Sequence, residues 1–207
     1  MKIDVWSDVA CPWCYIGKRR LERALEAFDG DVEVEYHAFV LDPSAPDSAR
    51  PLNDHLRAKF GDRVEEMQAH VTELAAQEGL DFRMADALAV NTVNAHRLLA
   101  YGRRHGVQAD LKERLLRAYF TEGRDLGDLE TLANVAAEAG LDRASVEAYL
   151  ASDDGTAEVQ EELSAARDIG ITAVPTYVFD RKYAVQGAQD AETFLRVLRQ
   201  VAEESAA

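Results

Sequence analysis

An α/β fold interrupted by a long helical insertion is predicted by three observations. Alternating strand patterns occur only near the two ends of the 207-residue chain. Between them, apolar residues recur at helical spacing with almost no strand signal. In that stretch Gly79-Leu80, Gly106-Val107, Gly140-Leu141 and Gly170-Ile171 each place glycine and then an apolar residue after a helical run, the form of a left-handed C-cap.

The elements follow in order. Lys2 to Ser7 (KIDVWS) alternates and reads as a short strand. After two cysteines, Leu21, Ala24, Leu25 and Phe28 share one helical face, and Asp29-Gly30-Asp31 ends it. Val32, Val34 and Tyr36 then alternate with Glu33 and Glu35 in a second strand. Such a β-α-β unit is right-handed with parallel strands. Asp42 to Pro51 holds three of the five prolines and reads as a loop. Helical stripes follow at Val64, Met67, Val71, Leu74 and Ala75; at Leu98, Leu99 and Tyr101; at Leu111, Leu115, Leu116 and Tyr119; and at Leu129, Leu132, Val135 and Ala136. Shorter ones run over 146–150 and 159–166. Beyond Gly170, Thr176 to Asp180 and Tyr183 to Gln186 flank Arg181-Lys182 as a hairpin, and Phe194, Leu195, Leu198 and Val201 mark a last helix. Residues 1–41 and 171–207 are thus expected to join in one small mixed sheet, with 42–170 inserted as an all-helical unit.

Composition excludes several classes of function. Hydrophobic residues at 47% and charged residues at 29% fit an ordinary globular chain rather than a disordered one. A net charge of −15 repels phosphate backbones and anionic lipid, so nucleic acid and membrane are not expected partners. No run approaches the ~20 apolar residues that span a bilayer. The N-terminus lacks an apolar core with a small-residue cleavage site, and a cytoplasmic location is expected.

The only cysteines are Cys11 and Cys14 in SDVACPWCYIGKRR. A metal site needs two more ligands, and no second C-x-x-C or close histidine pair supplies them. Two ordinary buried cysteines, or a structural disulfide, remain as bland readings. A C-x-x-C beside a β-α-β pattern points instead to redox chemistry. Pro12 suits the first helical position, which makes Cys11 the expected N-cap and puts Cys14 in the first turn. The partial positive charge there should lower the Cys11 pKa and make it the nucleophile, with Cys14 attacking the mixed disulfide. Asp8 acts against this, since a nearby carboxylate raises a thiol pKa. Lys18 and Arg19 lie too far along the helix to offset it.

Pro175 in GITAVPTYVF is either an edge-strand proline or part of a cis Val174–Pro175 bond, which would free the backbone of Val174 to pair with a bound peptide. Trp6 is expected in the core, and Trp13 is expected partly exposed as an apolar contact for a partner. His96 reads as a structural histidine before a catalytic one. Asp4 reads as an exposed strand-end residue before a buried acid beneath the cysteines. The segment from Gln186 to Asp190 is either a plain helix cap or a seat for a carboxylate such as that of glutathione.

CPWCYIG after the first strand, the helical block, and GITAVPT before the final hairpin resemble the DsbA-like branch of the thioredoxin superfamily, and within it the FrnE-type cytoplasmic dithiol–disulfide oxidoreductases. NTVNAHRL (91–98) and VQGAQD (185–190) resemble it more loosely. The resemblance implies a thioredoxin-like fold with an inserted all-helical domain, Cys11 attacking, Cys14 resolving, and a cis Pro175 facing them. It implies substrate contacts at Pro12, Trp13, Val174 and Pro175, and protein or small-molecule thiols and disulfides as partners. It implies no cofactor beyond the redox disulfide, with glutathione left as a co-substrate and a homodimer left open. Glutathione-dependent isomerases of the 2-hydroxychromene-2-carboxylate type and kappa-class transferases resemble the same architecture, but use a serine where this chain has Cys11. A thioredoxin-like binding module is the non-enzymatic alternative.

Overall fold

The computed structural model describes residues 1–206. The chain opens with β1 (Lys2–Ser7), α1 (Pro12–Glu26) and β2 (Glu33–Ala38). β1 and β2 pair in parallel with Val5 opposite Tyr36, as the β-α-β reading requires. The middle of the chain runs β3 (Arg50–Pro51), α2 (Leu52–Phe60), a 3₁₀ turn (Gly61–Arg63), α3 (Val64–Gln77), β4 (Leu88–Ala89), α4 (Val93–Arg104), α5 (Gln108–Phe120), α6 (Leu129–Glu138), α7 (Arg143–Ala151) and α8 (Thr156–Asp168). β5 (Thr176–Phe179), β6 (Tyr183–Gln186) and α9 (Ala191–Ala206) close it. The main sheet has the order β2-β1-β5-β6, with β5 antiparallel to both of its neighbours.

Three expectations need correction. The stretch after β2 is not purely loop and helix, because β3 pairs antiparallel with β4 and α2 precedes the first expected stripe. A two-residue strand is too short to show alternation, so this pair left no pattern to read. The hairpin turn is centred on Asp180 and Arg181, both at positive φ, one residue earlier than expected; Asp180 is held by hydrogen bonds to and from Lys2 on β1. Met67 and Leu129 are exposed rather than packed into their stripes.

The four glycine caps are present. Each glycine has positive φ, and the apolar residue behind it donates back into the last turn: Leu80 to Ala75, Val107 to Gly102, Leu141 to Ala136 and Ile171 to Ala166. These bonds satisfy carbonyls that a helix end otherwise leaves free.

Alternation along β1 divides the core. Ile3 and Val5 face α1 and α9, where Leu21, Tyr177, Phe179, Phe194 and Leu198 complete a buried cluster. Each such side chain contributes about 1.5–3 kcal/mol when fully buried. Trp6 points to the opposite face, against Ala166 and Ile171 and stacked on His37. A larger cluster joins the helical middle to the start of α1 through Val9, Tyr15 and Ile16.

Side chains from the middle segment also cap the outer edge of the sheet. Gln108 on α5 accepts from the Tyr36 N–H at 3.0 Å and donates to the Tyr36 carbonyl at 2.8 Å. Glu162 on α8 accepts from the Ala38 N–H at 2.8 Å. Burial alone would raise the Glu162 pKa, but the His37 ring at 3.9 Å, that N–H and Arg103 at 2.8 Å bring it down to about 2. A depressed carboxylate stabilises the fold above its unfolded pKa of about 4.5, and that stability is lost as pH falls toward 2. Glu162→Gln is therefore expected to cost about 2–3 kcal/mol at neutral pH and nearly nothing near pH 2. Urea unfolding of both proteins across that window checks this, and equal losses at both pH values would refute it.

Candidate active site

Cys11 is the N-cap of α1 and Pro12 its first helical residue, which places Cys14 in the first turn. Pro12 needs no N–H partner there, so the chain enters the helix without loss. Both thiols are free and buried, at 1% and 3% exposure, while Trp13 between them is 38% exposed. The Val174–Pro175 bond is cis, and the Cys11 thiol lies 3.8 Å from the Val174 carbonyl. Among the described residues, the Val174 N–H has no hydrogen-bond partner.

Gly17, one turn after Cys14, explains how α1 comes so close to this loop. A Cβ at that position would stand 2.2 Å from the Tyr177 hydroxyl and 3.3 Å from Pro175 Cγ. Sequence reading passed over Gly17. Its signal was present, because glycine inside a helix costs about 1 kcal/mol and asks for a packing reason.

The electrostatics reverse one expectation. The Cys11 pKa is raised, first by its hydrogen bond to Cys14, then by burial and by the charges of Cys14 and Asp8. The Cys14 N–H acts the other way, but the Cys11 sulfur makes no capping hydrogen bond. Burial would also raise Cys14; the Cys11 thiol, the Lys112 ammonium and the Ser7 hydroxyl outweigh it and hold Cys14 below the ordinary thiol value. Within the pair, the Cys11 thiol is thus pushed up and the Cys14 thiol held down.

Asp8 is buried just before the pair. Burial favours its neutral form, yet its pKa is lowered by His96 at 3.2 Å and by the Leu41 N–H at 2.7 Å. His96 thereby fixes the carboxylate, and it has no contact with either sulfur among its hydrogen bonds. Asn91 accepts from the Val93 N–H at the start of α4, and Asn94 orients Arg97. Asp4 is neither exposed nor beneath the cysteines: it points to the face opposite α1, where His37 at 2.8 Å and Lys2 at 3.1 Å pair with it. Asp190 caps α9 by accepting from the Thr193 N–H at 2.7 Å, so that helix start is occupied by the chain's own carboxylate. Lys18 and Arg19 pair with Glu22 and Glu113, away from the thiols.

A groove of about 420 Å³ opens beside Trp13, lined by Ala10, Pro12, Leu52, Phe60 and Met67 among others. The exposed Met67 is one of its walls.

A C-x-x-C at a helix start, set against a cis-proline beside a small mixed sheet, defines a thioredoxin-like protein with inserted helices. The family model described as the DSBA-like thioredoxin domain matches residues 2–199, and the chain belongs to that family. Its structure is similar to that of a probable DsbA oxidoreductase from Streptomyces coelicolor, with 39% identity, a TM-score of 0.92, and coverage of 99% of this chain and 91% of that one. It shares its fold with the cytosolic disulfide reductase DsbM of Pseudomonas aeruginosa, solved with GSH, at 19% identity and a TM-score of 0.70, covering 98% of this chain and 100% of the other. A 2-hydroxychromene-2-carboxylate isomerase shares it as well, at 18% identity and a TM-score of 0.73, covering 100% and 98%.

Proposed function

We propose that this protein is a thiol–disulfide oxidoreductase in which Cys11 attacks and Cys14 resolves. The observation that carries the reading is the unlinked Cys11–Cys14 pair at the start of α1, with Cys11 set 3.8 Å from the carbonyl preceding cis-Pro175. As Cys11 attacks a substrate disulfide, its proton passes to Cys14, a Cys11–substrate S–S bond forms and one substrate thiolate leaves. Cys14 then loses the proton and attacks Cys11, the internal disulfide closes and the second substrate thiol departs. Two electrons move from the dithiol to the substrate, and the reverse sequence oxidises a substrate dithiol.

The free Val174 N–H and its carbonyl offer a short edge to an extended peptide. Trp13 and the groove beside it suit apolar neighbours of the reacting sulfur. Glutathione fits as a co-substrate, since a protein of the same fold was solved with GSH. That protein's cytosolic description supports a cytoplasmic, FrnE-type role.

The second reading is a glutathione-dependent isomerase, favoured by the shared fold. A glutathione-activating site has no use for a resolving thiol, and this chain keeps Cys14. Mild oxidation is expected to remove two hydrogens from the intact mass, dithiothreitol to restore them, and disulfide exchange to turn over. Two unlinked thiols after oxidation, together with glutathione-dependent isomerisation or conjugation, would overturn the oxidoreductase reading.

A further inference from the structure

The loop facing Cys11 is tied down on both sides of Val174 but not at the backbone of Val174 itself. The Ala173 carbonyl accepts from the Thr176 hydroxyl at 2.7 Å, and the Pro175 carbonyl accepts from the Gly187 N–H at 2.8 Å. Between them, the Val174 N–H has no partner among the described residues, and its carbonyl faces the Cys11 thiol. The Val174 side chain supplies the missing hold, because it packs against the cluster of Trp6, Ala166 and Ile171. Trp6 is the largest member of that cluster and is 8% exposed. It sits on β1 between its register partners, His37 on β2 and Thr176 on β5. The His37 ring stacks on the indole at 4.8 Å and 25°. His37 is itself gripped by Asp4 on β1 at 2.8 Å and by Glu162 on α8 at 3.9 Å. Three strands and a helix thus fix the place of one ring.

We propose that Trp6 is the positioning residue for the peptide edge at Val174: its ring, held by His37, fixes the valine side chain and thereby aims the free N–H and carbonyl at a substrate chain beside Cys11. The inference rests on the proposed oxidoreductase reading and adds what orients its substrate. Valine is stiff about χ1, so holding its two methyls also holds its backbone. An edge of two polar groups helps only when it is set in advance, since ordering it during binding would consume the affinity it gives. Trp6 belongs to the sheet face opposite α1, so its path to the reaction runs through Val174. A tryptophan that served only the core would support every substrate alike. One that aims Val174 matters to substrates with a backbone to pair.

The test uses the reduced full chain and two disulfides: a short peptide whose single central cysteine carries 2-mercaptoethanol, and bis(2-hydroxyethyl) disulfide, which has no peptide group. The readout is the ratio of the second-order rates at which the two oxidise the chain, followed by acid quench and mass analysis. Wild type is expected to favour the peptide. Trp6→Leu is expected to lower the ratio about tenfold, the loss that follows when main-chain hydrogen bonds to the substrate are weakened. Trp6→Phe, which keeps a ring on His37, should restore part of it. His37→Gln removes the stacked ring and should lower the ratio about threefold. Equal losses with both disulfides in a folded Trp6→Leu, or a wild type with no preference for the peptide, would overturn the role of Trp6 and leave the oxidoreductase reading standing. A wild type oxidised by neither disulfide would overturn both. If Trp6→Leu does not fold, His37→Gln decides, since an unchanged ratio there refutes the proposal.

Discussion

Cys11→Ser is expected to lower disulfide exchange by about 10³-fold or more, because a hydroxyl at that place is neither acidic enough nor nucleophilic enough to open an S–S bond. Cys14→Ser should act differently: the first attack proceeds and the mixed disulfide cannot be resolved, so Cys11 accumulates in covalent adducts with substrate. The electrostatics sharpen this contrast. In the proposed attack Cys14, the thiol held down, takes the proton of Cys11, the thiol pushed up, so Cys14→Ser should also slow that step while still permitting it. Mass analysis of adducts with a small disulfide checks the assignment. Adducts on Cys14 in the Cys11→Ser protein at the wild-type rate would exchange the two roles.

Arg97→Ala is expected to lower stability by about 3–5 kcal/mol without touching a sulfur. The Arg97 guanidinium is buried on α4 and donates to the carbonyls of Tyr149, Leu150, Ser152 and Asp154, at 3.1, 3.5, 2.6 and 2.9 Å. These carbonyls lie at and just beyond the end of α7, where a helix has no N–H donors of its own left for them. Removing the side chain takes the guanidinium from the carbonyls of Leu150, Ser152 and Asp154, while that of Tyr149 keeps the Ser152 N–H and hydroxyl, and the gap is too polar to collapse. The urea midpoint should fall while the m-value stays constant. A loss below about 1 kcal/mol would show that water replaces the guanidinium at little cost.

What the sequence showed and what it hid follow from range. The β-α-β opening, the helix stripes, the glycine caps and the C-x-x-C are local patterns, and each is written within about one turn or strand of the residues involved. The cis-proline was legible as one of two readings because GITAVPT lies beside a strand. Arg97, Gly17 and Lys112 act on partners far along the chain, so no window around them shows the partner. Lys112 left a trace all the same: it shares a helical stripe with Leu115, Leu116 and Tyr119, and a lone charge inside an apolar stripe is a reason to ask what it faces. The lowered thiol at Cys11 was expected from the helix start alone. That argument did not see the burial of both sulfurs.

The clamp on the outer side of β2 has a further consequence for association. Successive outward-facing backbone groups of an edge strand are what another chain would pair with, and here those of Tyr36 and Ala38 are already taken by Gln108 and Glu162. An incoming strand would have to displace a carboxamide that imitates a neighbouring strand by both donating and accepting. Growth of the sheet into a polymer is therefore closed on that flank. Only the four-residue β6 remains as an edge on the other, too short a template for runaway stacking. A protein proposed to exchange disulfides with an extended peptide thus presents it with a cysteine, a proline loop and an apolar groove but, among the described residues, with no long bare strand on which chains could nucleate.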